Sequence, residues 1–204
     1  AGLQVLLDLH GNPGGESSER PCGRAWRGWS WRSWRQEEAL EVLRQVAARY
    51  CGSECVTGLQ VCNEPSEAIP IGVLCDFYER AIGAVRAGGM GPERVAVVLA
   101  VFTHFRSAEV MQEWCRRGNF LRFDNVAFDV HYYHTFSPIW KLPSHRQHLD
   151  ICEDHGLEVA SMPAALVGEW SLARPGRFAE EEIAAFAAAQ VRAYDTASHG
   201  WFFW

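Results

Sequence analysis

The sequence predicts an α/β chain of the (β/α)8 TIM-barrel class, incomplete, with six strands where a closed barrel has eight. Three observations carry that reading. Apolar runs of strand length alternate with amphipathic stretches of helical length along the whole chain. The runs are nearly continuous in Val, Leu and Ala, as strands buried on both faces of a parallel sheet are. The polar residues that punctuate the pattern fall at the C-terminal ends of several strands, where a barrel carries its active site. A dinucleotide-binding open sheet would instead need G-x-G-x-x-G after the first strand, and His10 to Ser17 reads HGNPGGES.

The first strand, Leu3 to Leu9, closes on His10. The loop after it contains AWRGWSWRSW, Ala25 to Trp34, whose tryptophans (26, 29, 31 and 34) are spaced neither as a helix nor as a strand. Trp faces stack on sugars and Arg donates to hydroxyls, so substrate contact and local loop packing are both open readings of this run. Ser33 with Gln36 forms a Ser-x-x-Gln capping box, which predicts a helix from Trp34 to Tyr50 with Leu40, Leu43, Val46 and Ala47 as its apolar stripe. The second strand, Val56 to Cys62, ends on Asn63, Glu64 and Pro65, the proline stopping the strand and stiffening the turn.

A helix near Val73 to Ala87, a strand Val95 to Val101 and a helix Ser107 to Arg117 follow. The fourth strand, Val126 to Val130, delivers His131 and Tyr133 to one face, because side chains two apart in extended backbone point the same way. Ser144 with Gln147 caps a helix His145 to His155. Its His145 and His148 share a face at i, i+3 and, with no carboxylate ligand nearby in the pattern, are expected to be solvated rather than metal-binding. The fifth strand, Ala164 to Val167, leads through Gly168 to Glu169; a helix Ala179 to Ala197 and a strand Trp201 to Trp204 complete the series.

A net charge of -6 with no basic face argues against a nucleic-acid partner. No run reaches the roughly 18 apolar residues of a membrane-spanning helix, and AGLQVLLDLH has neither a basic n-region nor a cleavage site. The chain opens at Ala1 inside a strand and ends inside another, so residues 1–204 are expected to be one catalytic domain, N-terminally truncated, with strand edges that invite aggregation. Oligomeric state is not readable. The seven cysteines are an odd number, and Cys62 and Cys75 read as buried thiols. CGSEC, Cys51 to Cys55, has no second pair at zinc-site spacing, so neither a metal nor a cofactor is expected.

Two glutamates at strand ends, Glu64 and Glu169, are the chemistry-bearing pair: two carboxyls facing one pocket are the machinery of glycoside hydrolysis, one as acid/base and one as nucleophile. The motifs around them resemble glycoside hydrolase family 5, and especially its exo-β-1,3-glucanase branch. DLHGNPGG resembles that branch's DLHGAPGS, CNEP its NEP motif, DVHYYHTF its HxY strand, GEWSLA its GEWSAA segment, and GWFFW its closing GWxFW strand, in the same order.

The resemblance implies that Glu64 is the acid/base and Glu169 the nucleophile. It further implies that Asn63 meets the sugar 2-hydroxyl, that Tyr133 holds Glu169, that His131 lies near Glu64, that His10 lines the glucose subsite, and that Trp204 is the platform under the ring. It implies a secreted or cell-wall location, a β-glucan or β-glucoside substrate, and retaining release of glucose from β-1,3-glucan ends. An endo-β-1,4-glucanase, a glycolipid β-glucosidase and a non-catalytic sugar binder on the same scaffold are the alternatives. Two departures stand out. Gly15, Glu16, Ser17 and Ser18 replace the branch's serine, glutamine, asparagine and glycine, and its first two barrel strands, with their arginine, have no counterpart here.

Overall fold

The computed structural model describes residues 2–22, 28–102 and 104–204. Trp26 of the tryptophan-arginine run lies outside them. The chain forms two compact units, Ala1–Ala127 and Phe128–Trp204.

In the first unit, β1 (Val5–Asp8), β2 (Val56–Gln60) and β3 (Ala96–Phe102) pair in parallel in that order, with Asp8 opposite Gln60 and Gly58 opposite Ala96. Connections between parallel strands need long crossovers, which α1 (Gln36–Tyr50) and α2 (Ile71–Ala87) supply, while α3 (His104–Arg116) and the one-turn α4 (Asn119–Arg122) follow β3. The α2 face of Leu74, Cys75, Phe77, Tyr78, Ala81, Ile82 and Val85 is buried, each large apolar side chain contributing about 1.5–3 kcal/mol. Cys62 and Cys75 are fully buried as expected, and burial pushes the Cys75 thiol up to about 12.

Two local expectations change here. Ser33 does not cap α1: it closes a short 3-10 turn, Trp31–Ser33, itself capped by Ser30, and α1 starts at Gln36 behind Arg35 with no side-chain cap. Two members of the tryptophan run pack locally. Trp34 is buried with its ring centroid 4.3 Å from that of Phe77, and Trp29 Nε1 donates to the Gly15 carbonyl at 3.0 Å, which is loop packing.

In the second unit, β4 (Val126–Tyr132, entering from the first unit), β5 (Ala165–Trp170) and β6 (Trp201–Phe203) are again parallel in chain order. Helices α5 (His145–Ser161) and α6 (Glu180–Tyr194) pack together, Gly156 lying against Ala193. The predicted box on Ser144 forms in full, with Ser144 and Gln147 each bonding the other's backbone. His148, expected to be solvated, is buried instead at 1% exposure. The reason is tertiary: its Nδ1 lies 2.8 Å from Nδ1 of buried His134, among the rings of Trp140 and Phe186.

Candidate active site

In the first unit, the end of β1 and the turn after β2 carry the expected groups. His10 Nδ1 lies 2.6 Å from Asp8 Oδ2, and its Nε2 lies 3.3 Å from Asn63 Nδ2. With Nδ1–H donating to Asp8, Nε2 is the acceptor for the Asn63 amide. Asn63 is 1% exposed, and its Oδ1 has no partner among the described residues, an acceptor left open at the strand end. Glu64 adopts φ +41°, a left-handed conformation rare outside glycine that costs on the order of 1–3 kcal/mol and must be imposed by its surroundings.

The backbone on both sides of Glu64 is held by Glu16, noted from the sequence only as a departure from the branch pattern. Glu16 is fully buried; its Oε2 accepts from the Asn12 backbone N–H at 2.9 Å, and its Oε1 accepts from the Asn63 N–H at 3.2 Å and from Asn12 Nδ2 at 3.3 Å. Its own carbonyl accepts from Ser66 N–H at 3.0 Å. Cys22 adds a thiol donor to the Asn63 carbonyl at 3.2 Å. The loop after β1 thus grips the backbone on both sides of Glu64. Burial raises the pKa of Glu16, and the hydrogen bonds it accepts pull the other way. The burial of Glu16 follows from its position against the Asn63 turn, which the loop's own sequence does not reveal.

In the second unit, β4 and β5 build a second group. Tyr133 Oη donates to Glu169 Oε2 at 2.7 Å, and His131 Nδ1 lies 3.5 Å from the same oxygen. The other ring nitrogen, Nε2, faces Asp129 Oδ2 at 3.0 Å, and Asp129 Oδ1 accepts from the Gly168 N–H at 2.6 Å. Asp129 is fully buried and His131 nearly so. Asp129 was not anticipated, although it stands two residues before His131 and therefore on the same strand face. Glu169 is the penultimate residue of β5, the strand-tip position the sequence predicted.

Trp204 N–H donates to the Trp170 carbonyl at 2.8 Å, while the Trp204 side chain is 67% exposed. The Trp201 and Phe203 rings stand edge-on to Trp170 at 5.2 and 4.9 Å.

The family model of cellulase, glycosyl hydrolase family 5, matches residues 1–204, the entire chain. The chain belongs to glycosyl hydrolase family 5. It is 31% identical over 181 residues to a probable glucan 1,3-beta-glucosidase A of Aspergillus fumigatus, with 84% of this chain and 39% of that protein covered. A probable glucan endo-1,6-beta-glucosidase B of Aspergillus terreus is 26% identical over an alignment of 227 positions, covering all of this chain and 53% of that one. This family 5 chain therefore spans about half or less of these relatives' lengths. Among solved structures, a hyperthermophilic endo-beta-1,4-glucanase superposes with a TM-score of 0.63 at 15% identity, over 83% of this chain and 57% of its own. Its likeness shows the fold: an α/β chain of parallel strands and covering helices, an incomplete (β/α)8 barrel.

Proposed function

We propose that this family 5 protein is a retaining glycoside hydrolase that cleaves β-glucosidic bonds, releasing glucose from the ends of β-1,3-glucan. Glu169 attacks the anomeric carbon as the leaving oxygen takes a proton from Glu64, giving a glycosyl ester on Glu169. Water, deprotonated by Glu64, then attacks the same anomeric carbon, breaking its bond to the Glu169 oxygen and freeing the carboxylate. His10 and Asn63 contact the sugar, His131 and Tyr133 order the nucleophile, and Trp204 offers its exposed ring as a platform. The substrate is a β-glucan or short β-glucoside.

The observation that carries this reading is the Tyr133–Glu169 hydrogen bond of 2.7 Å. A phenol donating to a carboxylate stabilises the ionised form, which is what a nucleophile requires. The Asn63 and Glu64 turn is gripped by buried groups and strained at Glu64, as functional backbone is. The preference for β-1,3 ends rests on the relatives' printed names and the shared motifs; an endo-acting β-glucanase uses the same two glutamates and is the second reading.

Chemical rescue tests the assignment. With an aryl β-glucoside and azide, Glu64→Ala should yield a β-glucosyl azide and Glu169→Ala an α-glucosyl azide. The opposite stereochemistry would exchange the two roles, and full activity in either variant would remove that residue from the chemistry. Laminari-oligosaccharides digested in parallel separate exo from endo action by whether glucose alone appears first.

A further inference from the structure

Strand β5 carries one residue more than its neighbour β4 at the point where the candidate nucleophile sits. Val130 is opposite Val167 and His131 is opposite Glu169, so Gly168 is the extra residue of a bulge. A bulged residue leaves the strand ladder, and its N–H needs another acceptor. Asp129 supplies it, at 2.6 Å from Oδ1. The glycine is required by this approach: a Cβ at position 168 would lie 2.3 Å from Asp129 Oδ1 and 2.6 Å from Oδ2.

The other Asp129 oxygen faces His131 Nε2 at 3.0 Å. A carboxylate only accepts, so Nε2 carries a proton, and Nδ1 is the ring atom that looks at Glu169 Oε2, 3.5 Å away. One buried carboxylate thus reaches the candidate nucleophile by two routes, through the backbone of the residue before it and through the imidazole beside it.

We propose that Asp129 is a positioning residue for Glu169, locking the β5 bulge with one oxygen and setting the tautomer and ring orientation of His131 with the other. The proposal rests on the reading of Glu169 as nucleophile only for its effect on turnover. Its geometry stands independently. Asparagine cannot replace the aspartate, because an amide has one acceptor oxygen and both Asp129 oxygens face donors; one of the two N–H groups would meet an NH2.

The test uses the full chain labelled with nitrogen-15. In the wild type, imidazole correlation spectra should show His131 with a hydrogen-bonded proton on Nε2. In Asp129→Asn that proton should exchange rapidly or the tautomer should invert, and Gly168→Ala, which pushes the carboxylate away without removing its charge, should do the same. Where the protein hydrolyses a β-glucoside, both variants should lower kcat about 10–100-fold with KM within about threefold, a scale borrowed from the hydrogen-bond partners of metal-ligating histidines. An unprotonated Nε2 in the wild type overturns the proposal even if no variant folds. So does an unchanged His131 spectrum in the variants, or a kcat within twofold of wild type alongside a lowered Tm. A wild type with no glycosidase activity would remove the proposed function, while the ring spectra would still decide the role of Asp129.

Discussion

Tyr133 Oη donates to Glu169 Oε2 at 2.7 Å, from a residue just beyond β4 to the penultimate residue of β5. The phenol belongs to the face that also carries Asp129 and His131, so three consecutive positions of one strand face converge on one carboxylate or its neighbour.

Removing that phenol should therefore act on turnover and not on folding. A hydrogen bond to a charged group contributes about 1.5–3 kcal/mol, so Tyr133→Phe should lower kcat roughly 10–100-fold with little change in KM. A steady-state comparison on an aryl β-glucoside measures it. A loss smaller than twofold would mean the bond does not persist in the working state.

Glu16→Ala should destabilise the first unit, because it strips an acceptor from two buried backbone donors and the Asn12 amide together. Unsatisfied buried donors cost about 1–3 kcal/mol each without simple additivity, so a total of about 2–4 kcal/mol is expected in urea denaturation. The turn it grips carries Asn63 and Glu64, so kcat should fall as well. Glu16→Gln, which retains one acceptor oxygen, should be intermediate in both measurements.

Trp204→Ala should raise KM and lower kcat together with little change in Tm, since Trp204 is 67% exposed. Stacking of aromatic rings on nucleobases contributes roughly 1–3 kcal/mol per base, the scale taken here. A lowered Tm with unaltered kinetics would mean that the ring packs rather than binds.

Stability should fall on acidification below neutral pH. Burial, with the nearby His155, His148 and Arg174, pushes His134 down to about 3, and burial also lowers His148. A histidine held neutral in the fold takes up its proton more readily when unfolded. The stabilisation is thus fully present above the unfolded value near 6.5 and is lost as pH falls toward 3. At pH 4.5 the loss from His134 alone should be about 2–3 kcal/mol. Glu16, with its pKa raised, works in the opposite direction, its contribution declining as pH rises above its unfolded value. Thermal melts of the wild type and His134→Phe between pH 4 and 7 separate them: the variant should show the flatter acid side.

Strand and helix order were legible in the sequence because they depend on local patterns, the apolar runs of strand length and the Ser144–Gln147 box, while the α1 stripe was half right: Leu43 and Ala47 are buried together with Ala39, and Leu40 and Val46 are half-buried. The strand-tip place of Glu169 and the Tyr133–Glu169 pairing were legible for the same reason, since strand alternation sets the side of Tyr133 and the motifs set its partner, whereas Glu64 stands in the turn beyond β2, which ends at Gln60. What tertiary structure decided were the groups whose roles depend on residues distant in sequence. Glu16 is a buried clamp only because the Asn63 N–H, forty-seven positions away, arrives beside it. Asp129 takes its role from a one-residue bulge at Gly168, and a register shift leaves no mark in either strand's own composition. His148 is buried because the ring of His134 and the side chains of Trp140 and Phe186 close over a helix face whose sequence is polar enough to stand in water. Periodicity reports which way a side chain points; what it meets there is set by the packing of other segments, and for buried polar groups that meeting determines both charge state and function.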